Sequence, residues 1–108
     1  MKNWDNPTTE DLLTAILALQ NMSEAKSFFR DLLTENELNE FASRWKAAKM
    51  LAEKASYTRI VEETGLSSTT VARISKWLNN GMGGYAGMLE KLNSHHHGFV
   101  SAGKDPSM

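Results

Sequence analysis

The sequence predicts an all-α fold of five to six helices, and three stretches carry that expectation. Tyr57 to Leu78 reads as helix, tight turn, helix. Ile60 and Val61 give its first segment an apolar side, Gly65 breaks it, and Val71, Ile74 and Leu78 then recur at i, i+3 and i+7, the spacing of one helical face. Thr34-Glu35-Asn36-Glu37 has the form of a complete capping box, in which the threonine and the glutamate satisfy each other's backbone N–H groups. Leu12, Leu13, Ile16, Leu17 and Leu19 cover more than one face of the first helix, so it needs burial on two sides.

In chain order, residues 1–7 form an arm, and Pro7 and Thr8 open the first helix, with Thr8 and Asp11 at capping-box spacing. Asn21 and Met22 interrupt, and Ser23 caps a second helix to about Leu33, with Ala25, Phe28, Phe29, Leu32 and Leu33 as its apolar set. The third helix follows the Thr34 box and reaches Glu53 through Leu38, Phe41, Ala42, Trp45, Ala48 and Ala52. Along it runs a basic stripe of Arg44, Lys46 and Lys49. Ser56 caps the fourth helix. Ser67 and Ser68 are both suited to cap the fifth, because a serine hydroxyl accepts from an orphan N–H of the first turn. Residues 79–84 are a glycine-rich connector, and Tyr85, Met88, Leu89 and Leu92 make a short last helix. Residues 95–108 lack periodicity and read as a flexible tail.

The second segment of 57–78 presents Ser68, Thr69, Ala72, Arg73, Ser75 and Lys76 opposite its apolar face, with no acid from Ser67 to Leu78. Small polar groups allow close approach to a major groove, and cations suit phosphates and guanine edges. The stretch resembles a helix-turn-helix DNA-binding motif. Gly65 stands at the turn, Leu66 plugs the corner, and Val61 departs from the small residue usual at its position.

A net charge of −1 does not look like that of a DNA binder, but its distribution does. From Met1 to Ser43 three bases face eight acids; from Arg44 to Leu78 seven bases face three acids. Positive charge is concentrated around the helix-turn-helix, where contact with phosphate requires it. No cysteine is present, which excludes disulfides and cysteine zinc sites and fits a reducing compartment. No apolar run approaches the ~20 residues of a membrane span, and no secretory signal is visible, so the expected location is the cytoplasm. His95, His96 and His97 are consecutive, which does not converge three rings on one ion. With every histidine in the tail, no Ser-His-Asp arrangement is visible, and no phosphate-loop lysine follows Gly81, Gly83 and Gly84. No enzyme, metal or cofactor is expected.

From Phe28 to Leu92 the chain resembles the Trp repressor family, and is most similar to its YerC/YecD group. The shared features are Leu32-Leu33-Thr34 opening a long helix with an acidic start, then the helix-turn-helix, a loop and a final helix. The resemblance implies an intertwined homodimer within a single domain, 1–94, whose helices at 8–33 interlock with those of a second chain. Leu12, Leu13, Ile16, Leu17, Phe28, Phe29, Leu32 and Leu33 would form that interface. It also places on Arg44 and Arg73 the two arginines that help hold a tryptophan corepressor. Here the glycine against which the indole packs is Ile74, and a small residue near the helix end is Trp77. Both should fill the ligand's space, with Trp77 a candidate built-in substitute. L-tryptophan is therefore disfavoured, while an unidentified small-molecule effector between Arg44 and Arg73 is left open.

The resulting expectation is a dimeric regulator, a repressor, on a palindromic double-stranded DNA site. Ser67, Ser68, Thr69 and Thr70 would read bases, and Arg73 and Lys76 would meet phosphate or a guanine edge. Thr58, Arg59 and Arg44 would fix register on the backbone. Two readings compete: a DNA-binding module like that of the replication initiator DnaA, and a protein–protein interaction domain without DNA binding. Salt-dependent affinity separates the DNA binders from the latter, and a palindromic site separates the dimer from the former.

Overall fold

The computed structural model describes residues 3–101, with side chains for residues 3–93. Six helices follow in order: α1 (Pro7–Leu17), α2 (Met22–Leu32), α3 (Glu35–Ala52), α4 (Tyr57–Thr64), α5 (Ser68–Asn80) and α6 (Gly84–Ser101). No strand occurs among the described residues, so the all-α expectation holds. Two compact units divide the chain, Met1–Glu40 and Phe41–Met108.

In the first unit, asparagines rather than hydroxyl residues start α1 and α2. Asn6 caps α1, its Oδ1 accepting from Thr9 N at 2.9 Å, with Pro7 in the first turn. The Thr8–Asp11 box is thus displaced into the helix. Asn21 caps α2 in the same way, accepting from Glu24 N at 2.8 Å, while Gln20 N donates to the Glu24 carboxylate at 3.0 Å. Ser23 lies inside α2 instead of capping it. The Thr34–Glu37 box forms as expected: Glu37 N donates to Thr34 Oγ1 at 3.1 Å, and Thr34 N to Glu37 Oε1 at 2.9 Å. Arg30 ties the α2–α3 corner, donating to the Leu33 carbonyl at 3.0 Å and pairing with Glu35 at 3.3 Å. Phe28 and Phe29 meet edge to face at 5.5 Å. Neither α1 nor α2 holds a buried residue.

The second unit contains the core. Ala47, Ala48 and Met50 of α3, Ile60 of α4, and Val71 and Ile74 of α5 are buried together. Trp45, Leu51, Ala55, Val61, Leu66 and Tyr85 pack around them, and the Trp45 and Tyr85 rings stack at 6.4 Å. α3 ends without a glycine. Lys54 takes φ +69°, and Ala55 N closes the turn on the Met50 carbonyl at 3.0 Å. Gly65 ends α4 at φ +77°, a left-handed conformation that glycine adopts without a Cβ penalty. Thr64 reinforces the turn: its hydroxyl donates to the Ile60 carbonyl at 2.7 Å and accepts from Leu66 N at 3.2 Å. α6 extends well beyond Leu92, so the helix occupies the beginning of the expected tail. The side chains of His95, His96 and His97, and residues 102–108, lie outside the described residues. No described helix is long and apolar enough to cross a membrane.

Candidate nucleic-acid interface

Two serines set the two helices of the motif. Ser56 caps α4, accepting from Arg59 N at 3.2 Å. Ser67 caps α5, accepting from Thr70 N at 3.1 Å. The choice between Ser67 and Ser68 therefore falls on Ser67, which leaves Ser68 as the first helical residue. The Ser67 hydroxyl also donates to Thr70 Oγ1 at 3.0 Å. Both hydroxyls are thus engaged at the cap, and Thr70 is half-buried.

Val71 and Ile74 are fully buried, and this fixes the rotation of α5. Ser68, Thr69, Ala72, Arg73 and Lys76 are left exposed. Arg73 and Lys76 form no ion pair among the described residues. From the sequence-derived readout set, Ser68, Thr69, Arg73 and Lys76 thus share a solvent face, while Ser67 and Thr70 hold the helix end.

α4 divides its polar residues between two groups. Tyr57, Thr58, Val61 and Glu62 line a notch of about 390 Å³ together with Ser68 of α5. Thr58 is thereby joined to the start of α5. Arg59 is not: outside the notch lining, its Nε donates to Glu63 Oε2 at 2.8 Å, and Lys46 of α3 reaches Glu63 Oε1 at 3.7 Å. The hydrogen bond from Arg59 holds the Glu63 carboxyl below its ordinary range, against a smaller opposing effect of desolvation, and Lys46 adds to the lowering. Reciprocally, Glu63 raises the Arg59 guanidinium. This network escaped the sequence reading, although Arg59 and Glu63 stand at the i, i+4 spacing that signals such a pair. Arg44 is half-buried on α3 with its Nε buried.

At the far end of α5, Ile74 fills core space as its branched side chain suggested. Trp77 does not. Trp77 lies at the surface, 42% exposed, beside half-buried Leu78. There Trp77 walls an open apolar cavity of about 420 Å³ with Gly81, Met82, Gly84 and Tyr85. Gly81 is required at this corner, since a Cβ would stand 2.5 Å from the Trp77 carbonyl oxygen. Among the described residues, no three His, Cys, Asp or Glu side chains gather as for a metal ion.

An alanine- and isoleucine-seated pair of short helices, joined by a glycine turn and exposing a cationic hydroxyl face, defines a helix-turn-helix protein. The chain belongs to the Trp repressor family: the family model for the Trp repressor protein matches residues 7–93. Its sequence is 37% identical over 83 residues to the uncharacterised protein YerC of Bacillus subtilis (strain 168), covering 77% of this chain and 80% of YerC. Its fold is similar to a TrpR-like protein from Eubacterium eligens ATCC 27750, with TM-score 0.79 and 39% identity, over 83% of this chain and 93% of that one. A candidate Trp repressor from Staphylococcus aureus gives TM-score 0.79 and 31% identity, over 86% and 96% of the two chains. The fold is that of a family of regulatory DNA-binding proteins.

The Glu63 network yields a pH expectation with a definite sign. Its carboxyl titrates lower in the folded chain than in the unfolded one. Its contribution is therefore complete above the ordinary carboxylate range near ~4.3 and is lost as pH falls through the lowered folded value. A side-chain NMR titration will find the Glu63 midpoint below that range, and Arg59→Gln will move it upward. A midpoint that stays put in Arg59→Gln rejects Arg59 as the cause.

Proposed function

We propose that this protein is a sequence-specific DNA-binding transcriptional regulator, a repressor, acting as a homodimer on a palindromic site. One observation carries the reading: the exposed face of α5, free of acids from Ser67 to Leu78, is aimed away from the core by buried Val71 and Ile74. Ser68 and Thr69 approach base edges, and Arg73 and Lys76 contact phosphate or guanine. Thr58, at the notch beside Ser68, fixes register on the backbone. Ser67 and Thr70 contribute by holding the end of α5. Arg59 serves mainly to secure α4 to α3 through Glu63, and Arg44 is kept as a phosphate contact. The cytoplasm is the location this role implies.

Residues 1–94 act as one domain in this reading, with dimerisation at 8–33. The support is the apolar surface that α1 and α2 leave uncovered. Leu12, Leu13 and Leu32 are exposed, Leu17 is 85% exposed, and Ile16, Phe28, Phe29 and Leu33 are half-buried. Exposed apolar side chains in such number mark an interaction site, and a second copy supplies the same apolar set.

Three outcomes test the proposal. With selected operator DNA, Arg73→Ala will cost about 1–3 kcal/mol of affinity if the guanidinium pairs with a guanine edge. Unchanged affinity in a folded variant would remove α5 from readout. Leu17→Ala will lower stability by roughly 2–5 kcal/mol in the assembled dimer, and melting temperature will rise with protein concentration. A folded monomer at micromolar concentration in sedimentation equilibrium defeats the dimer. Calorimetry with L-tryptophan, with and without DNA, will show no micromolar binding, because a misfit against Ile74 costs ~1–3 kcal/mol. Micromolar binding coupled to tighter DNA association would restore tryptophan as the effector.

A further inference from the structure

The notch between α4 and α5 holds one group that a DNA surface tolerates poorly. Glu62 is exposed, lines the notch with Thr58 and Ser68, and forms no ion pair among the described residues. Its neighbour Glu63, outside the notch lining, is paired with Arg59 and Lys46. The chain thus pairs the carboxylate outside the notch and leaves bare the one that lines it.

A bare carboxylate beside a phosphate is repelled. At a base edge in the major groove it has a favourable partner, because cytosine presents its N4 amino group as a donor there, and Glu or Asp accepts from it. The remaining lining suits a base edge too. Tyr57, 43% exposed, and half-buried Val61 supply apolar surface, and Thr58 and Ser68 supply hydroxyls. From this we infer that Glu62 is a specificity-determining residue that accepts a hydrogen bond from the N4 amino group of a cytosine in each half-site. The inference rests on the DNA-binding reading and assigns one position of the site to a residue of α4.

Selection of bound duplexes from a random pool, run on the full chain as wild type, Glu62→Ala and Glu62→Gln, tests it. Wild type will enrich cytosine at one position of each half-site. Glu62→Ala will lose about tenfold in that preference and keep the others. Glu62→Gln will shift the position toward adenine, the base whose edge an amide matches. The inference is overturned if both variants keep the wild-type preference at every position. It is equally overturned if they bind all sequences more tightly with preferences unchanged, since Glu62 would then only repel the backbone. If the wild type shows no salt-dependent binding to any duplex, the DNA-binding reading itself fails and takes the inference with it.

Discussion

Val71 and Ile74 of α5 sit fully buried against Ala47, Ala48 and Ile60, and the geometry of the motif depends on that seat. Burial of a Val or Ile side chain contributes about 1.5–3 kcal/mol. An exposed ion pair such as Lys46–Glu63 contributes ~0–1 kcal/mol. Apolar packing therefore decides where α5 lies, and the ion pairs adjust what surrounds it. The two alanines matter by what they lack. Without side chains beyond Cβ, Ala47 and Ala48 give α3 a low surface in the cluster that Val71 and Ile74 share. With those two residues inside, helical geometry leaves Ala72, Arg73 and Lys76 outside.

The caps complete this positioning at the cost of some of the chemistry. A helix start needs an acceptor for its orphan N–H groups, and Ser67 supplies it for Thr70 N. The same hydroxyl donates to Thr70 Oγ1. A run of four hydroxyl residues looks from sequence like four equivalent contacts. In the folded chain two of them hold the helix end together and two, Ser68 and Thr69, face outward. α4 shows a similar division of labour. Its i, i+4 pairs sort into Thr58 with Glu62 at the notch and Arg59 with Glu63 against α3.

Much of the fold was legible because its signals are local and unambiguous. The Thr34–Glu37 box, Ser56 at α4 and Gly65 at the turn each have one sensible assignment, and each forms. Where two capping residues lie close together, the pattern does not choose between them. Asn6 and Thr8 compete, as do Asn21 and Ser23, and asparagine captures both helices with an acceptor within 2.9 Å of an N–H. Lys54 was illegible for a different reason. Its left-handed φ of +69° is imposed by closure of the Ala55–Met50 turn, and a lysine gives no sign of it. The reach of α6 past Leu92 was hidden by three histidines and a glycine that break its apolar period. At the candidate site, spacing identified the faces of α5. It did not foresee the exposure of Trp77, which lies beside half-buried Leu78.

A last constraint links the first unit to the proposed function. The buried apolar residues, Ala47, Ala48, Met50, Ile60, Val71 and Ile74, all belong to the second unit. Small chains are marginal even when they bury a normal share of their surface. Here α1 and α2 add none of it, yet carry Leu12, Leu13, Ile16, Leu17, Phe28 and Phe29. Side-chain hydrogen bonds at their caps define where these helices begin, but capping contributes only ~1 kcal/mol per helix and does not bury an apolar face. The proposed dimer would cover that face. A second copy would supply the apolar cover without a new sequence, and would double the α5 face at the same time. In that arrangement the association that would stabilise the N-terminal helices would also make the DNA site two-fold. The apolar load of residues 12–33 and the acid-free face of α5 then answer to one requirement.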